Sequence, residues 1–272
     1  MSAPSAPDPA NPPIVVLKIG GSVLTGLPAY FTAASFVARR LDELRRGRIL
    51  AVVSAEHGHT DALLSTARAL GGTPDPASLD LLWSTGELRS VALLALALRA
   101  LGVKAAAANV HQTGLTRHGS AAGVHLNPLP LNARLSSHDV VVVPGFLARG
   151  DNDSIVSLGR GGSDLTAVVL AAGLAATACE LVKDVDGYYS SDPNLDSAAE
   201  HLPALTFERA LALADAGCGL VQRDAIAAAR AAGVPLVVRS ITGRRSTKVA
   251  ADHAVEHGEP SHPPVSLLLS RS

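Results

Sequence analysis

Hydrophobic residues in this chain form short uninterrupted runs, and longer stretches of mixed polarity lie between them. The four consecutive valines at 140–143 indicate a strand buried on both faces, while the intervening stretches repeat their apolar positions at helical spacing. The pattern predicts strands at residues 15–19, 49–54, 104–108, 140–144, 180–185 and 236–240. It predicts helices at residues 33–46, 61–70, 87–101, 164–176, 207–215 and 224–232.

The alternation of strands and helices predicts an α/β fold in three layers, with an open, mainly parallel sheet between two layers of helices. Residues 111–134 interrupt it with several glycines and prolines, so we expect loops or a hairpin flap there. Residues 1–13 are rich in Pro, Ala and Ser, which is typical of a disordered leader. We therefore expect one domain over residues 14–250 and a short tail over residues 251–272, with one strand at 265–269.

Composition limits the classes of function. A chain of 272 residues with 47% hydrophobic residues can bury a large core. Its formal net charge of −1 argues against nucleic acid or an acidic membrane surface as the main partner. No apolar run has the length and flanks of a membrane span. Cys179 and Cys218 lack the CxxC spacing of a redox pair, so we expect free thiols in a reducing cytoplasm.

Residues 158–164, Leu-Gly-Arg-Gly-Gly-Ser-Asp, precede an apolar helix and combine a guanidinium, a hydroxyl and a carboxylate with three glycines. Glycines let backbone amides approach a ligand closely, and the positive end of the helix dipole favours an anion at the same place. A guanidinium such as that of Arg160 binds carboxylates through two hydrogen bonds. Taken alone, the motif is explained equally well by a strand-to-helix turn capped by Ser163.

The first predicted strand ends in Lys18, which is followed by a turn containing Gly20, Gly21 and Ser22. An ammonium beside free backbone amides is suited to phosphate oxygens, although a lysine at the end of an edge strand is also common. The spacing is neither that of a P-loop nor that of a dinucleotide-binding turn. Farther along, Glu87 opens a predicted helix, where a carboxylate also complements the helix dipole.

Six motifs, read in this order, resemble those of aspartate kinases in the amino acid kinase family: KIGGS, VVSAEHGHTD, STGELRSVALLALALRALG, VVVVPGF, LGRGGSDLTAVVLAAGL and VKDVDGYYSSDPN. The resemblance covers about residues 14–249, and six ordered motifs are far more specific than one. It implies an amino acid kinase fold with an acceptor lobe over about residues 14–150 and a nucleotide lobe over about residues 151–250. The flap at 111–134 would then cover the acceptor.

The resemblance implies a reaction in which ATP phosphorylates the side-chain carboxylate of L-aspartate to give 4-phospho-L-aspartate. Lys18 and Asp164 would be the catalytic residues, Lys18 on the β- and γ-phosphates and Asp164 orienting Lys18. The acceptor would be bound by Thr60, Glu87, Arg160 and Ser163, with Glu87 on its ammonium and Arg160 on a carboxylate. The nucleotide would be bound by Lys18, Gly20, Gly21, Ser22, Lys183, Asp184 and Tyr189.

The resemblance also implies a cytoplasmic biosynthetic enzyme that is a homo-oligomer, a dimer, whose partners are small molecules. Magnesium is expected to arrive bound to the phosphates of ATP, because no cluster of His, Cys and Asp has the spacing of a metal site. His57 and His59 lie close to Thr60, where they would either contact substrate or belong to an exposed loop.

Three departures from the family pattern qualify these expectations. This chain has Gly219 at the position where the family usually has a lysine on the phosphate side. It has Asn194 where the family often has an arginine after the Asp-Pro pair. Arg223 or Lys183 would be the compensating cation. We also expect this chain to lack the two C-terminal ACT regulatory domains, which usually mediate feedback inhibition by lysine or threonine. A kinase for another small carboxylate or phosphate, and a catalytically weak binding subunit, are the alternatives.

Overall fold

The structure is a computed structural model that describes residues 12–118, 123–159, 161–193 and 195–251. Most of the predicted leader and nearly all of the predicted tail, including the strand at 265–269, lie outside the described residues. Arg160 and Asn194 lie outside them as well.

The described chain alternates strands and helices as the hydrophobic pattern predicts. The strands are β1 Ile14–Ile19, β2 Arg48–Val53, β3 Ala105–Ala107, β4 Leu115–Arg117, β5 Val124–Leu126, β6 Val140–Pro144, β7 Leu147–Arg149, β8 Ile155–Ser157, β9 Ala178–Lys183, β10 Tyr188–Tyr189, β11 His201–Leu202, β12 Ala204–Thr206, β13 Leu236–Ser240 and β14 Ser246–Ala250. The helices are α1 Leu27–Glu43, α2 His59–Ala69, α3 Pro76–Ala100, α4 Leu129–Leu135, α5 Gly162–Gly173, α6 Phe207–Asp215 and α7 Arg223–Ala232.

One eight-stranded sheet forms the centre of the molecule, with the strand order β12-β14-β13-β9-β1-β2-β6-β3. The strands from β13 to β3 are parallel to their neighbours, and β14 pairs with β13 in the antiparallel sense. Ligands of open parallel sheets bind beyond the carboxyl ends of the strands. The carboxyl ends of β1, β2, β6 and β9 therefore define where a site is expected.

Helices cover both faces of this sheet, which confirms the predicted three-layer α/β fold. Helices α1 and α3 pack on the face formed by Leu17, Ile19 and their neighbours. Helices α4, α5, α6 and α7 pack on the opposite face, to which Val16 and Leu181 belong. Side chains alternate between the faces of a strand, so Lys18 on β1 and Lys183 on β9 face the same side as α5.

Several predicted boundaries are displaced. Helix α3 begins at Pro76, not at residue 87, because the Asp75 side chain accepts a hydrogen bond of 2.9 Å from the Ser78 amide and a proline follows the cap. Strand β9 begins and ends two residues earlier than predicted. Glu87 therefore lies in the interior of a 25-residue helix, where the dipole of the first turn does not explain it.

The described part of residues 111–134 contains a hairpin, formed by β4 and β5. Strands β4 and β5 pair in antiparallel and belong to a second, four-stranded sheet with β7 and β8. Leu126 of β5 packs closely against Gly173 at the end of α5. The described residues of this hairpin do not line the pocket described below, so they do not form a flap over it.

Among the described residues, α3 alone is long and apolar enough, by length and composition, to cross a membrane. Half of its most apolar window is buried inside the protein, as in the core helix of a globular domain. Cys179 is a buried free thiol, and Cys218 is a half-buried one.

Candidate active site

The turn after β1 lies at the centre of the carboxyl edge of the sheet. Lys18 is almost completely buried, and the Gly20 amide donates a hydrogen bond of 3.1 Å to the carbonyl of Val182 on the adjacent β9. A side chain at Gly21 would clash with the carbonyl oxygen of Ala55, so glycine is required for the close approach of these two turns. The predicted phosphate turn is thus held against both neighbouring strands.

Two lysines share one buried carboxylate beside this turn. The Lys18 Nζ lies 3.0 Å from the Asp164 Oδ1, and the Lys183 Nζ lies 2.9 Å from the Asp164 Oδ2. Asp164 is 3% exposed and belongs to the first turn of α5, where the helix dipole also stabilises negative charge. The three groups carry a net positive charge, which suits an anionic ligand.

Burial and charge have opposing effects on this cluster. Burial raises the pKa of the Asp164 carboxyl, but the charges and hydrogen bonds of the two ammonium groups outweigh it, so the pKa lies below its ordinary value. Burial, together with the positive charge of Lys18, lowers the pKa of Lys183 against the opposing effect of Asp164. The sequence predicted Lys18 beside Asp164, whereas the bridge from Lys183 to Asp164 depends on the pairing of β1 with β9.

The glycine turn before α5 is tightly constrained. Gly161 has a φ of 76°, and a side chain there would clash with Gln222 at the start of α7. The loop at 217–222, which contains Gly219, is thus packed against the turn. The place of Arg160 within this turn lies outside the described residues.

A pocket of about 180 Å³ opens beside this turn. It brings together three of the four predicted acceptor residues, Thr60, Glu87 and Ser163. The pocket is also lined by Gly159, Gly161 and Gly162, the three glycines that the sequence predicted to bring backbone amides close to a ligand. Sequence reasoning assigned no role to the remaining lining residues, which are Ser54, Ala55 and Phe146. Phe146 was signalled by its place in the motif VVVVPGF, and its φ of 65° is rare for a side chain of this size.

Among the described residues that line this pocket, Glu87 is the one acidic residue. It is 3% exposed, and its Oε2 is buried without a hydrogen-bond partner. Burial raises the pKa of Glu87 to about 8, with smaller opposing effects from the Ala55 backbone and the charge of Lys18. An unpaired buried carboxylate is costly, so a cationic group entering the pocket would gain a strong partner.

Two of the predicted nucleotide residues, Asp184 and Tyr189, lie beyond the carboxyl end of β9. Asp184 is exposed directly after Lys183, and Tyr189 on β10 packs edge-on against His201 with ring centroids 5.3 Å apart. Neither lines the pocket, so their assignment to ATP stays a prediction.

The ring of His59 contacts Gly86, and His57 is exposed. Among the described residues, no group of three or more His, Cys, Asp or Glu side chains is placed to hold a metal ion.

The structure distinguishes the two residues expected to compensate for Gly219. Arg223, at the start of α7, forms an exposed ion pair of 2.7 Å with Asp215, at the end of α6. Lys183, in contrast, contributes its charge directly beside Asp164. Lys183 is therefore the better candidate for the compensating cation.

The chain belongs to the amino acid kinase family, whose model matches residues 13–240. It is 37% identical over 231 residues to an aspartokinase from Thermus thermophilus, a match that covers 84% of this chain and 56% of the relative. It is 34% identical to an aspartokinase from Geobacillus stearothermophilus, with 89% and 60% covered. The resemblance stated from the motifs is thereby confirmed.

Solved structures agree in fold. The aspartate kinase from Synechocystis superposes with a TM-score of 0.79 at 34% identity, over 87% of this chain and 40% of that one. Escherichia coli aspartokinase III in complex with aspartate and ADP superposes with a TM-score of 0.78 at 25% identity, over 88% and 64%. The chain thus spans little more than half the length of the curated relatives it matches.

Proposed function

We propose that this protein transfers the γ-phosphoryl group of ATP to the side-chain carboxylate of L-aspartate, forming 4-phospho-L-aspartate. The proposal depends mainly on one observation: two sites of different chemistry lie next to each other. A net positive cluster of Lys18, Asp164 and Lys183 suits phosphates, and a pocket lined by Glu87, whose buried Oε2 has no hydrogen-bond partner, suits an ammonium. A related kinase, Escherichia coli aspartokinase III, has been solved with aspartate and ADP, which supports both assignments.

The proposed chemistry follows from charge. An oxygen of the acceptor carboxylate attacks the γ-phosphorus, the bond from that phosphorus to the β-phosphate oxygen breaks, and the electron pair leaves with ADP. Both reactants are anions, so catalysis depends on positioning and on charge compensation, which Lys18, Lys183 and the backbone amide of Gly21 would supply, because the Gly20 amide already donates to Val182. Magnesium bound to the ATP phosphates would add further positive charge.

The acceptor would be held by opposite charges at its two ends. Glu87 would bind the ammonium, while Thr60 and Ser163 would donate hydrogen bonds from the pocket wall. Arg160 would bind a carboxylate, an assignment that rests on the resemblance alone. An acceptor lobe and a nucleotide lobe meeting at Lys18 and Asp164, a cytoplasmic location and a dimeric assembly belong to the same proposal.

An ADP-release assay with a panel of acceptors tests the function. We expect ADP release that requires L-aspartate, with much slower release for D-aspartate, glutamate, succinate, acetate and nucleoside monophosphates. Release that depends on another acid of the panel would move the function to that acceptor. ATP binding without acceptor-dependent release would favour a weak binding subunit.

Glu87→Gln should raise the KM for aspartate by about 10- to 100-fold at pH 8, because it removes a buried charged partner of the ammonium. With a pKa of about 8, Glu87 gains charge as the pH rises from 6.5 to 8.5. The wild-type KM for aspartate should therefore fall over that range, and the variant should lose this dependence. The KM for ATP, measured in parallel, should change little. An unchanged KM for aspartate would remove Glu87 from the acceptor site.

Gly219→Lys should increase turnover several-fold, since a charge placed near the phosphates stabilises the transition state. The substitution fits the backbone: a side chain at Gly219 meets no atom within 4 Å, and the residue with the strained φ of 97° is Gly217. Gly219→Gln is the control, because it adds similar length without charge. A stable lysine variant that binds ATP but turns over no faster would show that Lys183 already performs this role.

A further inference from the structure

One segment, residues 54–60, contacts both halves of the proposed site; it consists of the loop after β2 and the first two residues of α2, and we name it the acceptor loop. Ser54, Ala55 and Thr60 line the pocket. The amide of His57 donates a hydrogen bond of 3.1 Å to the carbonyl of Gly21 in the phosphate turn. The loop therefore forms part of the pocket wall and is attached to the turn after β1.

The Glu56 side chain of the acceptor loop does not line the pocket. It binds residues on two helices. The Tyr30 hydroxyl of α1 donates a hydrogen bond of 3.0 Å to the Glu56 Oε1. The Arg89 guanidinium of α3 forms an ion pair with the same oxygen. The Ser90 hydroxyl lies 3.0 Å from the Tyr30 hydroxyl and completes the set.

The charge state of this cluster is well defined. Burial raises the pKa of Tyr30 to about 12, so the hydroxyl is protonated and donates to Glu56. Burial raises the pKa of Glu56, but the hydrogen bonds from Arg89 and Tyr30 and the charge of Arg89 outweigh it and hold the pKa below its ordinary value. Glu56 is therefore an ionised acceptor at neutral pH, and both donors remain available to it.

The cluster is also connected to Glu87. Arg89 follows Glu87 by two residues on α3, and the backbone of Ala55 hydrogen-bonds the Glu87 carboxylate. Glu56 thus links the acceptor loop to the same helix that carries the proposed ammonium partner. A shift of the loop relative to α3 would change the pocket, whereas the ion pairs of Lys18 and Lys183 with Asp164 involve no side chain of the loop.

We propose that Tyr30, Glu56 and Arg89 are positioning residues that hold the acceptor loop against α3 and so set the affinity for the acceptor. This proposal rests on the proposed function for its kinetic readout. None of the three side chains lines the pocket, so they act through Ala55 and Thr60. Arg89 is half exposed, and exposed ion pairs contribute little to global stability, so the expected effect is local.

The kinetic test uses Arg89→Met and Glu56→Gln, with Arg230→Met as the matched control. Arg230 is also half exposed and pairs with Glu208 between two helices away from the pocket. We expect both test variants to raise the KM for the acceptor by about five- to fifty-fold, with kcat and the KM for ATP within about two-fold of wild type. The control should change none of these constants. An equal rise in both KM values, or no rise in either, would overturn the proposal.

A second readout needs no substrate. Hydrogen exchange at the amides of residues 55–59 should be about ten-fold faster in Glu56→Gln than in the wild type, while exchange in β2 is unchanged. Tyr30→Phe should have a smaller effect in the Glu56→Gln background than in the wild type, because both changes weaken the same hydrogen bond between Tyr30 and residue 56. Unchanged exchange would overturn the proposal. A wild-type protein that phosphorylates no acid would overturn the proposed function, and the exchange result would still decide the role of Glu56.

Discussion

Lys18→Ala is expected to reduce turnover by about 10²- to 10³-fold, equivalent to roughly 3–4 kcal/mol of transition-state stabilisation. The Lys18 ammonium is buried at the carboxyl end of β1 and contacts Asp164 at 3.0 Å. The fold should survive, because Lys183 still pairs with Asp164 at 2.9 Å. The measurement is single-turnover phosphoryl transfer at saturating ATP, accompanied by thermal unfolding.

Lys248→Ala is the matched control for that variant. Lys248 is an exposed lysine on β14, also within the eight-stranded sheet but without a place in the charge cluster. Its replacement should leave turnover unchanged. If Lys18→Ala retained wild-type turnover while folding normally, Lys18 would have no part in catalysis, and the phosphate site would have to lie elsewhere.

Asp164→Asn is expected to impair both stability and turnover. Breaking a buried ion pair by removing one partner costs about 3–5 kcal/mol, and here two buried ammonium groups would lose their shared counter-charge. The folded pKa of Asp164 lies below its ordinary value of 3.8, so the carboxylate stabilises the fold above that pH and loses this effect as the pH falls through the folded pKa. The difference in Tm between wild type and variant should persist from pH 5 to 8 and shrink below about pH 3.8.

The same variant should shift the pH dependence of turnover. Burial and the charge of Lys18 already lower the pKa of Lys183, and Asp164 opposes them. Without that carboxylate the pKa of Lys183 should fall further, so activity should decline at a lower pH than in the wild type. Asp215→Asn, which removes the carboxylate of an exposed ion pair, should have neither effect. A variant at position 164 with unchanged Tm and pH profile would contradict the proposed charge coupling.

Much of this architecture could be predicted from the chain alone. The strands around residues 15–19, 140–144 and 236–240 form nearly as predicted because their apolar runs favour burial in a parallel sheet. The ordered motifs identified the family and placed Lys18, Asp164, Glu87 and Ser163 in one site. Such motifs are short and local in sequence, so they can be recognised without knowing which distant residues pack against them.

Helix boundaries were less predictable where apolar spacing was weak. The first turns of α3 carry few buried residues, so their helical state depends on the cap at Asp75 and on packing against α2. The hairpin of β4 and β5 was expected over the acceptor, yet it packs on α5. Nothing in its own sequence specifies that surface, because the contact exists only after the second sheet has formed.

Local sequence by itself therefore determined the fold class, the family and the chemical types present in the site. The tertiary structure alone decided which groups meet: Lys183 on β9 reaches Asp164 on α5, Phe146 lines the pocket, and Glu56 binds Tyr30 and Arg89 on separate helices. The physical reason is that strand order and helix packing bring together residues far apart in the chain. The energies of the contacts between these residues depend on burial and on neighbouring charge, and the local sequence pattern specifies neither.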